Sequence, residues 1–132
     1  ADKTKASVVA AFNEDKDLLQ SIGDTKIGNN TKIDNLIQIA HNVVIGKSCL
    51  IASGVAIAGS TTIGDNVSIG GQVGIVGHLS VGNNSIIGAK SLVTKSFPDN
   101  VFISGNPATL HKDRVKRDIA LRKLPDIIKN KN

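Results

Sequence analysis

Ile or Val recurs at every sixth position through the middle of the chain. The spacing is unbroken over twelve positions, from Ile27 to Val93. Gly or Ala directly follows nine of these residues, and a small or apolar side chain usually stands four residues after them. An α-helix repeats every 3.6 residues, so it does not keep a spacing of six in register. The repeat favours short strands that each point one aliphatic side chain inward, and it predicts an all-β fold, a parallel β-helix.

A second period of eighteen residues lies on top of the first. The segments that follow Ile27, Ile45, Ile63 and Val81 are all rich in Gly, Asn, Asp or Ser, which suit tight turns. Every third repeat is therefore alike, so eighteen residues form one coil with three flat faces. The twelve repeats give four coils. The stack is roughly 20 Å tall, at about 4.8 Å between neighbouring strands.

The repeat divides the chain into four segments. Residues 1–20 fit neither period and form a separate N-terminal segment, and residues 21–97 form the parallel β-helix. Residues 98–110, which contain two of the three prolines, are expected to be a loop. Residues 111–132 form a basic tail whose apolar residues return to a helical spacing, so a short α-helical tail is predicted.

The tail has a helical pattern with one interruption. Val115, Ile119 and Leu124 lie on one stripe of the predicted helix. Pro125 is expected to end this helix near Leu124 and to serve as the first residue of a second short helix over 126–130. The net charge of the whole chain is +5. Residues 111–132 hold all of this excess, with eight basic and three acidic residues, and residues 1–110 are neutral.

Composition excludes several classes of protein. The chain has three Phe, no Trp, Tyr or Met, and a single cysteine, Cys49. One cysteine cannot form an internal disulfide framework, and its place at an inward position indicates packing rather than catalysis. The apolar runs are far shorter than the roughly 20 residues that span a bilayer, so no integral membrane segment is expected. Because the coils are neutral, an acidic protein is a better match for the tail than nucleic acid.

One edge of the β-helix collects residues suited to acyl transfer. Steps of eighteen residues place His41, Gly59, Gly77 and Lys95 in one column, and His78 lies one residue past it. A histidine can deprotonate an amine or hydroxyl, and a glycine amide can stabilise an oxyanion without a side chain in the way. His41 and Gly59 are therefore candidate catalytic residues. A role as a polar surface residue or as a hydrogen-bonding residue at an interface stays open for both His41 and His78.

No metal site is expected. A catalytic zinc commonly uses three protein ligands, and only two of the three histidines lie in the coils. The third, His111, lies in the tail. The spaced glycines follow from the six-residue repeat and do not form a phosphate-binding loop.

Several motifs resemble one known family. The motifs IDN, QIAHNVVIG, IAGST, GGQVGI and GHL, within residues 32–96, and the later SGNPA and LRKLP resemble the UDP-3-O-(3-hydroxyacyl)glucosamine N-acyltransferases of lipid A biosynthesis. The resemblance covers about residues 21–128. It implies a left-handed parallel β-helix that assembles as a homotrimer, with active sites in the grooves between subunits.

The resemblance also implies roles for individual residues. His41 would be the general base that deprotonates the glucosamine amine, and the Gly59 amide would stabilise the oxyanion. His78 would help to position the thioester and its pantetheine arm. The sugar side of the site would include Asp34, Asn35 and Gln38. Leu92 would lie near the end of the acyl groove and help to set chain length.

The implied reaction moves a 3-hydroxyacyl chain to the amine of a UDP-linked 3-O-acylglucosamine. The donor would be the 4'-phosphopantetheine thioester of acyl carrier protein, whose acidic surface suits the basic tail. No other cofactor is implied. The expected location is the cytoplasm of a bacterium, at the inner membrane surface or free of it. A role of the tail as a solvated helix that caps the trimer stays open.

The resemblance stops at the N-terminus. Family members carry a separate domain there that supplies aromatic contacts to the uracil, and Phe12 is the sole aromatic residue before the coils. We expect either a catalytic-domain fragment or a shortened relative. The alternatives are another hexapeptide O-acyltransferase, a CoA-dependent sugar acetyltransferase, and a non-catalytic β-helix that binds lipid or carrier protein.

Overall fold

The computed structural model describes residues 24–131, which form a parallel β-solenoid followed by one helix. The predicted parallel β-helix is confirmed. The N-terminal segment 1–20 lies outside the described residues. The twelve strands of the coils have two residues each: β1 (Lys26–Ile27), β2 (Lys32–Ile33), β3 (Gln38–Ile39), β4 (Val44–Ile45), β5 (Leu50–Ile51), β6 (Ala56–Ile57), β7 (Thr62–Ile63), β8 (Ser68–Ile69), β9 (Gly74–Ile75), β10 (Ser80–Val81), β11 (Ile86–Ile87) and β12 (Leu92–Val93).

The strands stack into three sheets, one for each face of the solenoid. Sheet A has the order β1-β4-β7-β10, and sheet C has the order β12-β9-β6-β3. Sheet B contains β2, β5, β8 and β11, and two further strands extend it. Neighbours pair in parallel with a register of eighteen residues, as in Ile27 with Ile45 and Ile39 with Ile57. This register is the eighteen-residue coil that the sequence predicts.

The core consists of stacked aliphatic rows. The repeating Ile and Val of each strand point inward, and those from Ile33 to Val93 are at most 3% exposed. A second inward row at the corners includes Val43, Val55 and Cys49, each 0% exposed. Burying one such side chain contributes about 1.5–3 kcal/mol. The rows fill the interior with small branched residues, which explains how the fold forms with so few aromatic side chains.

Polar residues also enter this core, and their hydroxyl groups are paired. The Thr31 hydroxyl donates to the carbonyl of Gly46 at 2.7 Å, and the Thr61 hydroxyl donates to that of Val76 at 3.0 Å. Both threonines are nearly fully buried. A buried hydroxyl without a partner costs free energy, so these bonds let threonine replace valine at inward corner positions.

Each corner of the solenoid contains one residue in the left-handed region. These residues recur at a spacing of six from Asn30 to Lys90, with φ between 56° and 60° at all of them except Gly54, where φ is 78°. Asn tolerates this conformation well, whereas Leu36 and Lys90 adopt it at a cost. The corner after sheet A is the A–B corner, the corner after sheet B is the B–C corner, and the corner after sheet C is the C–A corner.

The solenoid continues past the twelfth strand, so the expected loop at 98–110 is wrong. Phe97 bridges Val81 in parallel, and β13 (Phe102–Gly105) pairs with β11. These partners are sixteen residues apart rather than eighteen, because the corner between Val93 and Phe97 is two residues shorter than the equivalent corner between Ile75 and Val81. β14 (Ala108–Leu110) then folds back antiparallel onto β13 through a turn with a cis Asn106–Pro107 bond.

The tail is one helix, α1 (His111–Asn130), and the predicted break at Pro125 is wrong. No residue of α1 is buried, and only its first part packs on β13 and β14. A proline removes one backbone donor, and in an exposed helix water can satisfy the carbonyl that loses its partner. Within residues 24–131, no helix combines the length and apolar character needed to cross a bilayer.

Candidate active site

The predicted column of residues lies at the C–A corner. His41, Gly59, Gly77 and Lys95 each hold the second position after a strand of sheet C, on successive coils. We call these four residues the glycine corner. Gly77 permits close stacking here, because a Cβ at this position would lie 2.8 Å from the carbonyl oxygen of Gly59. The structure therefore brings His41 and Gly59 together as the eighteen-residue period predicts.

The His41 imidazole lies against the backbone of Gly59. A Cβ built on Gly59 would be 2.6 Å from Nε2 and 2.7 Å from Cε1 of His41. Carbon atoms do not approach other heavy atoms this closely, so residue 59 has to be glycine for the ring to adopt this position. His41 itself is exposed, which leaves its ring accessible from solvent.

Backbone hydrogen bonds fix the two residues relative to their neighbours. The His41 carbonyl accepts the N–H of Ser60 at 3.0 Å, and the Gly59 carbonyl accepts the N–H of His78 at 3.1 Å. The N–H of Gly59 donates no hydrogen bond to any other residue in the described part of the chain. A polar donor next to an imidazole is thus left free at the surface of the solenoid.

The A–B corner treats the equivalent N–H groups differently. The N–H of Lys47 donates to Asp65 Oδ1 at 2.8 Å, and the N–H of Asp65 donates to Asn83 Oδ1 at 2.8 Å. The N–H of Asn83 in turn donates to Asp99 Oδ1 at 2.7 Å. We call Lys47, Asp65, Asn83 and Asp99 the capped corner. At the capped corner, a side chain from the next coil accepts each of these N–H groups. At the glycine corner, Gly77 has no side chain that could accept the N–H of Gly59, so that N–H is left without a partner among the described residues.

His78 lies one residue past the glycine corner, as predicted, and it occupies a strained position. It holds the left-handed corner conformation with φ of 59°, and its side chain is exposed. Asn42 has the same conformation directly after His41, and its Oδ1 atom is buried without a partner among the described residues. Sequence reasoning did not single out Asn42, because Asn at a turn is ordinary in this repeat.

The expected sugar-side residues do not all lie beside His41. Asp34 and Asn35 lie at the B–C corner, where Asp34 Oδ1 accepts the N–H of Asn35 at 2.7 Å. Both line a groove of about 780 Å³ on the outer face of sheet B, together with Leu50. Gln38 lies on sheet C, so it stands between this corner and His41. Within one chain, the width of sheet C separates Asp34 and Asn35 from the glycine corner.

The outer face of sheet C is a smooth strip that ends at Leu92. Its outward residues are Gln38, Ala56, Gly74 and Leu92, from the first strand of the sheet to the last. Leu92 Cδ1 leans over Gly74, 3.1 Å from where a Cβ on that glycine would lie. The strip adjoins the glycine corner and has no large side chain between Gln38 and Leu92.

Within residues 24–131, neither Cys49 nor a cluster of metal-ligating side chains forms a second candidate site. Cys49 is fully buried, and its thiol donates to the carbonyl of Gly64 at 3.1 Å. Burial raises the pKa of the Cys49 thiol above its ordinary value of 9.0, because the thiolate would lose its hydration. Among residues 24–131, no group of three His, Cys, Asp or Glu side chains could hold a metal ion.

Two stretches of the coils, residues 24–59 and 60–95, match the family described as bacterial transferase hexapeptide, with six repeats. These stretches cover more than half of the chain and all twelve strands of the coils. The chain belongs to the bacterial hexapeptide transferases. A search of curated proteins found no match to this chain.

Solved structures of serine acetyltransferases are similar to this member of the hexapeptide transferases. The enzyme from Neisseria gonorrhoeae is 28% identical with a TM-score of 0.64, and the match covers 66% of this chain and 37% of that one. The soybean apoenzyme is 29% identical with a TM-score of 0.63, over 66% and 40% of the two chains. A serine acetyltransferase in complex with CoA is 28% identical with a TM-score of 0.62, over 66% and 39%. The match therefore spans less than half the length of these enzymes.

Proposed function

We propose that this chain carries the catalytic solenoid of an acyltransferase in which His41 is the general base. The observation that carries the proposal is the contact of the His41 imidazole with Gly59, whose amide N–H is free. A base and an oxyanion donor at adjacent positions are the two groups that acyl transfer from a thioester requires. The family of transferases to which the chain belongs supports this chemistry.

The proposed reaction proceeds by direct attack. His41 Nε2 accepts a proton from the amine or hydroxyl of the acceptor, and the freed lone pair forms a bond to the thioester carbonyl carbon. The carbonyl oxygen becomes an oxyanion that accepts the Gly59 N–H. The intermediate collapses, the carbon–sulfur bond breaks, and the leaving thiolate takes the proton from the His41 imidazolium. No covalent bond to the protein forms in this sequence.

We propose a CoA-type thioester as the donor. The similar solved structures are serine acetyltransferases, and one of them was solved in complex with CoA. The acceptor of this chain is proposed more broadly, as the amine or hydroxyl of a small polar molecule. His78, at the same edge and one coil above Gly59, would contact the thioester or its pantetheine arm.

The second candidate is the transfer of a 3-hydroxyacyl chain from acyl carrier protein to a nucleotide-linked amino sugar. The motifs around His41 and His78 favour it, and so does the smooth strip of sheet C. Ala56 and Gly74 leave room for an acyl chain longer than acetyl, and Leu92 would close the strip at its upper end. Leu92 would then limit chain length, and the basic helix α1 would contact the carrier protein.

We also propose a homotrimer. In one chain, Asp34 and Asn35 are separated from His41 by sheet C, and the groove that they line exposes Leu50, Ile86 and Phe102. A second copy packed on this face would cover its apolar residues and bring its glycine corner next to the first copy's Asp34 and Asn35. Sedimentation velocity tests this part, and a stable monomer at micromolar concentration would contradict it.

The decisive experiment measures thioester turnover by wild type and by His41→Ala. Acetyl-CoA and 3-hydroxyacyl carrier protein serve as donors, and serine, glucosamine and a UDP-linked amino sugar serve as acceptors. Loss of a general base should lower kcat by roughly 10²–10⁴-fold. Lys47→Ala is the matched control, because Lys47 holds the same turn position as His41 at the capped corner.

The outcomes separate the candidates. Turnover by acetyl-CoA alone supports the first candidate, and turnover by the carrier-protein donor with the UDP-linked amine supports the second. In the second case Leu92→Ala should shift the preference toward longer acyl chains, since it opens the end of the strip. His41→Ala activity within threefold of wild type would overturn the catalytic assignment.

A further inference from the structure

A polar pocket lies away from the glycine corner, between the top of the solenoid and helix α1. It has a volume of about 420 Å³ and lies where Lys90 of the B–C corner faces the start of α1. The β13–β14 turn closes one side of it with Gly105 and Asn106. Sheet C separates this pocket from the column of His41 and Gly59. The chemistry proposed for His41 and Gly59 uses none of its residues.

The wall of the pocket is held by a network of hydrogen bonds. Arg114 donates from Nε to Ser104 Oγ at 3.0 Å and from Nη1 to Asp118 Oδ2 at 2.7 Å. Ser104 is 4% exposed, and its hydroxyl also lies 2.9 Å from His111 Nδ1. The His111 ring stacks on Phe102 with a centroid distance of 4.1 Å. These contacts orient Arg114 before any ligand binds.

Gly105 makes room for a second arginine. A Cβ on Gly105 would lie 2.8 Å from Nη2 of Arg117 and 2.8 Å from Cγ of Arg114. The φ of Gly105 is also 101°, which L-residues with side chains rarely adopt. The guanidinium of Arg117 can therefore lie directly on the turn, at the rim of the pocket, only because residue 105 is glycine.

The positive charge of the pocket is not neutralised. Asp118 is the one acidic residue among those that line it, and it is paired with Arg114. Arg117 and Lys90 form no ion pair or hydrogen bond with any other side chain in the part of the chain that the structure describes. Two unpaired cations and an oriented third at one concave site attract an anion with several acceptor oxygens.

We infer that this pocket binds a phosphate group, with Arg117 and Lys90 as its direct contacts and Arg114 as part of its wall. A guanidinium donates in a planar fork that matches two phosphate oxygens, and an ammonium adds a point charge. Free phosphate and the phosphates of a CoA-type donor share this chemistry. The second source rests on the proposed function, and the experiment distinguishes the two.

The test measures binding by calorimetry for wild type and for the double variant Lys90→Gln with Arg117→Gln. The probes are CoA, pantetheine without phosphate, and inorganic phosphate. Loss of hydrogen bonds to a charged group should weaken binding of a phosphate probe by about tenfold to a hundredfold. The control is the double variant Lys116→Gln with Lys123→Gln, which also removes two positive charges but at residues that do not line the pocket.

Each outcome decides the inference. Weaker binding of CoA with unchanged binding of pantetheine supports a donor phosphate, and weaker binding of inorganic phosphate alone supports a free anion. Equal effects of the pocket variant and the control variant, or no effect of either, would overturn the inference. Failure of the proposed function is separate, because turnover of acetyl-pantetheine should depend on His41 and not on Arg117 or Lys90. Circular dichroism confirms that the variants fold.

Discussion

The residues of the capped corner and of the glycine corner hold the same position of the repeat, but their backbone N–H groups differ in whether they are hydrogen-bonded. At the capped corner, Asp65, Asn83 and Asp99 accept the N–H groups of the coil below at 2.7–2.8 Å. At the glycine corner, Gly59 and Gly77 offer no acceptor, so the amide beside His41 stays free. One corner pairs its amide groups within the stack, and the other leaves an amide donor free among the described residues.

The residue before each corner position determines whether a side chain from the next coil can accept the corner's N–H group. Gly46, Gly64 and Gly82 precede the capped positions, and a Cβ on any of them would collide with the capping carboxylate or amide above. At the glycine corner the equivalent positions hold Ala40, Ala58 and Val76. A capping side chain such as Asp65 therefore requires glycine at the residue before the capped position, as at Gly46. A free N–H beside the imidazole requires glycine at the corner position, as at Gly59.

After the loss of His41 itself, the largest expected effect follows from adding one methyl group at the glycine corner. Gly59→Ala places a Cβ within about 2.6 Å of the His41 ring, so the imidazole has to leave its position. Because the base moves and the approach to the amide narrows, kcat should fall by roughly 10²–10³-fold. Activity assays with the donor established for wild type measure this loss.

Gly71→Ala is the matched control for this substitution. Its Cβ would meet its nearest atom at 3.4 Å, an ordinary contact, so activity should stay within about twofold. The double variant His41→Ala with Gly59→Ala sharpens the comparison. If His41 and Gly59 act as one unit, the double variant should be as active as the less active of the two single variants. A multiplicative loss would contradict a shared role.

A smaller effect is expected at His78, next to the glycine corner. If its imidazole contacts the donor, His78→Ala should raise KM for the donor by a few-fold to about tenfold, the equivalent of one hydrogen bond. The value of kcat should change little, because His41 remains in place. Steady-state kinetics with varied donor test this, and a fall in kcat with unchanged KM would show a role in the chemical step instead.

At the capped corner the effect should fall on stability and not on activity. Asp65→Ala removes the acceptor for the N–H of Lys47, so the free energy of unfolding should fall by about 1 kcal/mol. Urea denaturation measures this change. The turnover number should be that of wild type, and a loss of activity comparable to that of Gly59→Ala would erase the distinction between the two corners.

The smallest expected effect is a pH dependence of stability that comes from the buried Cys49 thiol at the A–B corner. Burial raises the pKa of Cys49 above 9.0, so above that pH the folded protein holds a proton that the unfolded chain has lost. Stability should therefore decline as pH rises from about 9 toward the folded pKa, and Cys49→Ala should lack this decline. Urea titrations of both proteins at pH 7.5 and 10 test it, and parallel losses would contradict it.

The sequence predicts much of the solenoid because each repeat forms the same contacts as the next. A spacing of six places Ile39 and Ile57 in the core, and a step of eighteen places Gly59 over His41. The fifth coil was missed because its pairs, such as Ile87 with Ile103, are sixteen residues apart. The continuous helix at Pro125 was missed because exposure, which relieves the lost hydrogen bond, is not visible in the sequence.

The sequence was least informative where distant segments meet. Spacing within the repeat gives the position of Asp34 and Asn35 along the axis, and the structure shows that sheet C separates them from His41. Lys90 and Arg117 line the same polar pocket because the β13–β14 turn brings α1 back over the solenoid, and no periodic pattern describes this turn. Only the φ of Gly105 and the packing of α1 reveal that these cations lie at one site.

Because each coil pairs with the next at a register of eighteen residues, the solenoid can lengthen only by whole coils. Inserting one whole coil between His78 and Lys90 would preserve every inward row, the His41–Gly59 contact and the pairing at both ends. It would shift His41 and Gly59 away from Lys90 and Arg117 by one strand spacing, about 4.8 Å. A transferase built in this way can change the reach required of its donor in fixed steps, without redesign of either site.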